Sequence, residues 1–222
     1  MNYAAPKVAI VDCGLGNLYS VQHACLHVNL DARITSSKDD IANADAVILP
    51  GVGAFGDAMN TMKRLELVAV LQKFASSGKP FLGICLGMQL LMSESQEFGR
   101  HAGLNIIKGN VVSFGEPHEG ERALKVPQIG WNQIRASEST IKWDNTILNG
   151  LAEDEYMYFV HSFVVVPQDP AVTLSVTHYG DVHFCSSLQV GNIFACQFHP
   201  ERSGKRGLQI YQNFAAFLDK AA

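Results

Sequence analysis

Cys85 lies between two glycines in Gly83-Ile84-Cys85-Leu86-Gly87-Met88-Gln89, directly after the apolar Pro80-Phe81-Leu82 and before Leu90-Leu91-Met92. An apolar strand, a reactive side chain flanked by glycines and then a helical run is the pattern of a nucleophile elbow. The sharp strand-to-helix turn tolerates little Cβ bulk on either side and presents its central side chain. Cys85 is therefore expected to be exposed and aimed outward. The helix starting at Leu86 would add unpaired N–H groups and a positive dipole end, which favour a thiolate over a free thiol of pKa about 8.5.

A base for that thiol is present near the C-terminus, in Gln197-Phe198-His199-Pro200-Glu201. Proline biases His199 toward an extended conformation, and side chains two apart on an extended segment point the same way. His199 could then take the thiol proton while Glu201 orients the imidazole and stabilises its charge. The third element is Gly51-Val52-Gly53, just beyond the strand-like Ala46-Val47-Ile48-Leu49. Its backbone N–H groups could join the Leu86 amide in holding an oxyanion. Singly, these are a cysteine in a turn, a loop tripeptide and a glycine loop. Together they describe acyl transfer through a thioester.

The elbow and Gln197-Phe198-His199-Pro200-Glu201 resemble the signature of class I, triad-type glutamine amidotransferases. Further segments resemble the glutaminase subunits of imidazole glycerol phosphate synthases: Val11-Asp12-Cys13-Gly14-Leu15-Gly16-Asn17-Leu18, Pro50-Gly51-Val52-Gly53, Lys125-Val126-Pro127-Gln128-Ile129-Gly130-Trp131-Asn132, Tyr158-Phe159-Val160-His161-Ser162-Phe163 and Pro200-Glu201-Arg202-Ser203-Gly204. The resemblance runs from about residue 7 to the end. It implies an α/β, flavodoxin-like fold with a mostly parallel central sheet flanked by helices and additional antiparallel strands, in one domain over 1–222. It also implies glutamine as substrate, no cofactor and no metal, with Gln89 and the backbone around Ser162 and Phe163 binding the glutamine head group. Two positions depart from the family's usual residues, Gln128 for His and Phe163 for Tyr, and neither side chain is assigned a catalytic role.

Ammonia is mostly protonated near neutral pH and useful only if handed directly to an acceptor. The chain leaves no segment for an acceptor enzyme, so the partner must come in trans. The resemblance implies a (β/α)8 cyclase subunit that forms imidazole glycerol phosphate and an aminoimidazole carboxamide ribotide. Trp131, Tyr158 and Arg202 are candidate partner contacts, of residue types that anchor interfaces, although Trp131 could equally be core. The rival enzymatic readings are a paralogue feeding another synthase and a γ-glutamyl hydrolase that needs no partner.

Composition fits this picture. At 222 residues and 47% hydrophobic content the chain can bury a full core. A net charge of −4 without a basic cluster argues against nucleic acid or an anionic membrane as partner. No stretch is long and apolar enough to span a bilayer. Five cysteines without disulfide spacing, and no leader-like segment, suggest reducing cytosol.

The positioning elements follow from periodicity. Val8–Val11, Ala46–Leu49 and Pro80–Ile84 are short apolar runs followed by glycine turns and helical patterns, as in buried parallel strands with crossover helices. Ligands bind beyond the carboxyl ends of such strands, where Gly51-Val52-Gly53 and Cys85 fall. Glu155–Val166, Val172–Tyr179 and Phe184–His199 read as antiparallel strands, the last turning at Gly191-Asn192. Leu208, Tyr211, Phe214 and Leu218 mark the core stripe of a final helix. Gly14-Leu15-Gly16 fails as a dinucleotide fingerprint because Tyr19 holds the third glycine position. The polar stretch Gly115–Arg122 reads as a surface loop.

Overall fold

Each apolar run near the N-terminus is buried on both faces, which requires helices above and below it. The computed structural model describes residues 5–14, 16–137 and 142–221, so Leu15 of the Gly14-Leu15-Gly16 segment lies outside the described residues. The first half alternates β1 (Lys7–Val11), α1 (Leu18–His27), β2 (Asp31–Thr35), α2 (Lys38–Asn43), β3 (Ala46–Leu49), α3 (Phe55–Arg64), α4 (Val68–Ser76), β4 (Phe81–Ile84) and α5 (Leu86–Leu90). The second half is mostly strand: β5 (Glu94–Ser95), β6 (His101–Ala102), β7 (Gly109–Ser113), β8 (His118–Glu119), β9 (Arg122–Ala123), β10 (Gln128–Ala136), β11 (Glu155–His161), β12 (Phe163–Pro167), β13 (Thr173–Tyr179), β14 (Val182–Val190) and β15 (Ile193–Cys196). A 3₁₀ turn at Pro200–Arg202 leads into α6 (Gly204–Ala221).

The main sheet runs β2-β1-β3-β4-β15-β14-β12-β7-β5-β6. β2, β1, β3, β4 and β15 are mutually parallel, and β14, β12 and β7 continue the sheet antiparallel. β10 carries β11 on one side and meets β13 on the other. Alternate residues of the parallel strands feed two cores. Val8, Ile10, Ile48, Leu82 and Ile84 pack with Val21 and Cys25 of α1 and Tyr211 and Phe214 of α6. Ala9, Val11, Val47, Leu49 and Phe81 pack with Phe55, Met59, Leu71 and Leu86 on the opposite face.

Three readings are corrected. Glu155–Val166 is not one strand, because the chain breaks at Ser162: β11 pairs with β10, whereas β12 pairs with β7 and β14. The last strand is not purely antiparallel, since β15 pairs antiparallel with β14 but parallel with β4. Its second partner carries the segment ending in His199 to the tip of the strand preceding Cys85. The polar stretch at 115–122 holds most of the small β8–β9 hairpin, tied to the turn between β13 and β14 through the His118 amide and the Asp181 carboxylate at 2.7 Å.

Candidate active site

Cys85 sits between β4 and α5 with φ +54° and ψ −110°, a conformation an L-residue adopts only under constraint. Its amide donates to Cys196 O at 2.8 Å, fixing the bend to β15. The flanking glycines are required by close packing: a Cβ on Gly87 would stand 1.7 Å from Leu49 O, and one on Gly83 would be 3.1 Å from the Gly87 carbonyl. The expectation of an exposed cysteine is corrected. Cys85 is 5% exposed, at the base of a cavity of about 250 Å³. That is somewhat below the roughly 300–1,000 Å³ of sites for drug-sized ligands, and suits a single amino acid. α5 has five residues, so its N-terminus supplies amide donors more than a macrodipole.

His199 and Glu201 meet as expected, Nδ1 to Oε1 at 2.7 Å, with their side chains 4% and 1% exposed. They do so by a different route. His199 is extended, but Pro200–Arg202 is a 3₁₀ turn, and it is this turn that folds Glu201 back beneath the imidazole. The turn is stapled to β11: His199 N donates to Tyr158 O, Tyr158 N donates to Ser203 Oγ, and Ser203 Oγ donates to His199 O. Burial disfavours the imidazolium, but the Cys85 charge, a hydrogen bond to Cys85 and the Glu201 carboxylate outweigh it, and the His199 pKa is pushed up to about 10. Nε2 of His199 is buried without a well-aligned hydrogen-bond partner. Cys85 is the group whose charge acts on it most.

Of the candidate oxyanion donors, the Leu86 amide is not free. The Leu86 amide points at Gly51 O, 3.4 Å away. Turning the Gly51–Val52 peptide would release it and bring an N–H into the carbonyl's place. Val52, Gly53, Leu86, Gln89, Ser162 and Phe163 all line the cavity. Gln89 has its amide nitrogen engaged with Phe163 O at 3.0 Å and Gln197 Oε1 at 3.1 Å, so it offers a ligand its oxygen. Gln197 in turn donates to Cys85 Sγ at 3.5 Å.

Two lining residues escaped sequence reasoning. Glu97 is buried, accepts from Phe55 N at 2.6 Å and places a carboxylate in the cavity wall; nothing in Ser95-Gln96-Glu97 marked it out. His161 lies within a quoted motif, but only the fold shows it on the wall. Its Nδ1 donates to Phe163 O at 2.9 Å, and burial, with a smaller contribution from the nearby His199 charge, lowers its pKa to about 4. It is neutral at pH 7.

Trp131, Tyr158 and Arg202 come together outside the cavity. Trp131 meets Tyr158 edge to face at 6.1 Å, and the Arg202 guanidinium lies 4.8 Å from the Tyr158 ring centre. Trp131 is 56% exposed, so it is a surface residue and not core. Gln128 is buried opposite His161 in the β10–β11 ladder. Among the described residues no cluster of His, Cys, Asp and Glu could hold a metal ion, and no helix is long and apolar enough to cross a membrane.

A buried Cys–His–Glu constellation with amide donors beside it is equipped for attack on a carboxamide. The family model for class-I glutamine amidotransferases matches residues 9–217. This chain belongs to that family. It is 44% identical, over 96% of this chain and 98% of the relative, to the imidazole glycerol phosphate synthase subunit HisH of Aquifex aeolicus. To the subunit of the same name from Syntrophotalea carbinolica it is 47% identical, over 93% and 98% of the two chains. Solved structures share the fold at much lower identity. PurLQS from Thermotoga maritima superposes with a TM-score of 0.71 at 19% identity, covering 96% and 99% of the chains. The glutaminase domain of Trypanosoma brucei CTPS gives 0.68 at 16%, covering 97% and 94%.

Proposed function

We propose that this chain is the glutaminase subunit of an imidazole glycerol phosphate synthase, acting in histidine biosynthesis in the cytosol. The observation that carries the chemistry is the buried His199–Glu201 pair beside the strained Cys85. With its pKa near 10, His199 is a base able to take the Cys85 thiol proton as the sulfur attacks. Cys85 Sγ attacks the side-chain carboxamide carbon of glutamine, His199 passes its proton to the leaving nitrogen, and ammonia departs from a γ-glutamyl thioester. A water that gives its proton to His199 then cleaves the thioester, and the imidazolium returns that proton to Sγ, releasing glutamate and restoring Cys85. Glu97 supports substrate binding by facing the α-ammonium of glutamine with an opposite charge, and Gln89, Ser162 and Phe163 contribute polar contacts to the head group.

The Leu86–Gly51 contact explains why such a subunit would wait for its partner. While Gly51 O occupies the Leu86 amide, the tetrahedral oxyanion loses one of its donors, and one missing donor costs about a hundred- to a thousand-fold in rate. A partner or a ligand bound to it that favours the turned Gly51–Val52 peptide raises the rate, which is a coupling free energy between two sites. The partner on this reading is a (β/α)8 cyclase that receives the ammonia, and Trp131, Tyr158 and Arg202 face it.

The test is glutamate release from glutamine by the purified chain, alone and then with the cyclase and its ribonucleotide ligand, with Cys85→Ala as blank. Strong activation only in the full mixture is expected. Turnover indifferent to the cyclase would point instead to a paralogue serving another synthase or to a γ-glutamyl hydrolase, and a folded, active Cys85→Ala protein would remove the assignment.

A further inference from the structure

α6 packs its first turns directly on the 3₁₀ turn that carries Glu201. At Gly207 a Cβ would come within 1.9 Å of Pro200 O, so the helix backbone lies against that turn. One helical turn further on, on the same face, stands Tyr211, fully buried. Its hydroxyl finds no hydrogen-bond partner among the described residues. Neither does Glu201 Oε2, the oxygen not engaged by His199. Buried polar atoms are rarely left unpaired, and the exceptions call for a reason.

The two oxygens are buried near enough for the Glu201 charge to act on the Tyr211 hydroxyl. Burial first, and then the Glu201 charge, hold the Tyr211 hydroxyl protonated, which makes it a donor. The nearby alternatives are the Cys25 and Cys196 thiols, which are weak acceptors, and Cys196 Sγ already faces Phe198 O at 3.5 Å. A carboxylate anchored through Oε1 alone can still swing about its terminal torsion, which is soft for sp³–sp² bonds. A second anchor on Oε2 stops that motion.

We propose that Tyr211 is a positioning residue of the Cys85–His199–Glu201 triad: its buried hydroxyl donates through one buried water to Glu201 Oε2 and holds the carboxylate that orients His199. The inference rests on the triad reading above. It adds to that reading a residue which periodicity alone assigned to the core stripe of the last helix.

The test is a cycle of Tyr211→Phe, Glu201→Gln and the double variant, with glutaminase kcat and KM measured in the cyclase-activated complex and folding followed by thermal melts. Tyr211→Phe should fold, keep KM and lose about 10- to 150-fold in kcat, the scale of one hydrogen bond to a charged group. In the Glu201→Gln background the same change should cost nothing. An equal loss in both backgrounds, or wild-type kcat in Tyr211→Phe, would overturn the proposal while leaving an impaired Glu201→Gln enzyme, and so the triad, intact. A Glu201→Gln enzyme as fast as wild type would overturn both. A readout independent of turnover is the His199 Nδ1–H proton resonance in Cys85→Ala protein, which Tyr211→Phe should shift; an unmoved resonance counts against the proposal.

Discussion

His161 and His199 share one site and are driven in opposite directions. Burial lowers the His161 pKa to about 4, because only a carbonyl partner offsets it. His199 is also buried, yet the Cys85 and Glu201 charges raise it to about 10. Both start from about 6.5 in the unfolded chain. The His199 contribution to stability is therefore full below pH 6.5 and is lost as pH rises toward 10. For His161 the unfolded chain binds the proton more readily, so stability is lost as pH falls from 6.5 toward 4. These two groups together place a stability maximum near pH 6.5. Thermal melts across pH 4–10 should show both slopes, with His161→Gln flattening the acid one and His199→Asn the alkaline one; a variant that keeps its slope would show that other groups cause it. Glu201→Gln should lower kcat by about 10²- to 10⁴-fold, a range bounded by the loss of the orienting carboxylate in serine triads.

At the scale of elements, the elbow is where local strain and packing meet. Cys85 holds a positive φ that only glycine adopts freely, so Cys85→Gly should be more stable than Cys85→Ala by about 1–3 kcal/mol in denaturant unfolding. Equal stabilities would mean that the bend carries no strain. Gly87→Ala should be far worse, since its Cβ would overlap Leu49 O and force β3 and α5 apart; a loss of at least about 3 kcal/mol is expected, and a soluble Gly87→Ala protein of wild-type stability would contradict the packing. The elbow was legible in the sequence because glycine spacing reports backbone constraint directly. The parallel strands were legible because burial on both faces leaves continuous apolar runs. The break at Ser162 was not, because β11 and β12 are both apolar and only their partners, β10 and β7, differ. Nor was the occupied Leu86 amide, since the orientation of one peptide leaves no trace in residue type. Glu97 escaped for the reason that its place depends on the turn between β5 and β6 meeting the start of α3 across 42 residues of chain.

At the scale of the whole molecule, the site and the proposed docking surface are mechanically one. β10 and β11 hold Trp131 and Tyr158 on the outside, while the backbone of Tyr158 accepts from His199 N and the next 3₁₀ turn carries both Glu201 and Arg202. A partner pressing on the Trp131–Tyr158–Arg202 stack therefore bears on the segment that positions the base. Exposed aromatic and guanidinium groups of this kind, already stacked on one another, lose little side-chain freedom on binding and tend to dominate affinity. Trp131→Ala and Arg202→Ala should each weaken the complex with the cyclase by about 1–3 kcal/mol, roughly 5- to 150-fold in Kd. Because both contact the Tyr158 ring, the double variant should fall short of the sum. Calorimetric titration of the four proteins decides it. Unchanged affinity in both single variants would move the interface elsewhere, and strict additivity would mean that the stack does not act as a unit.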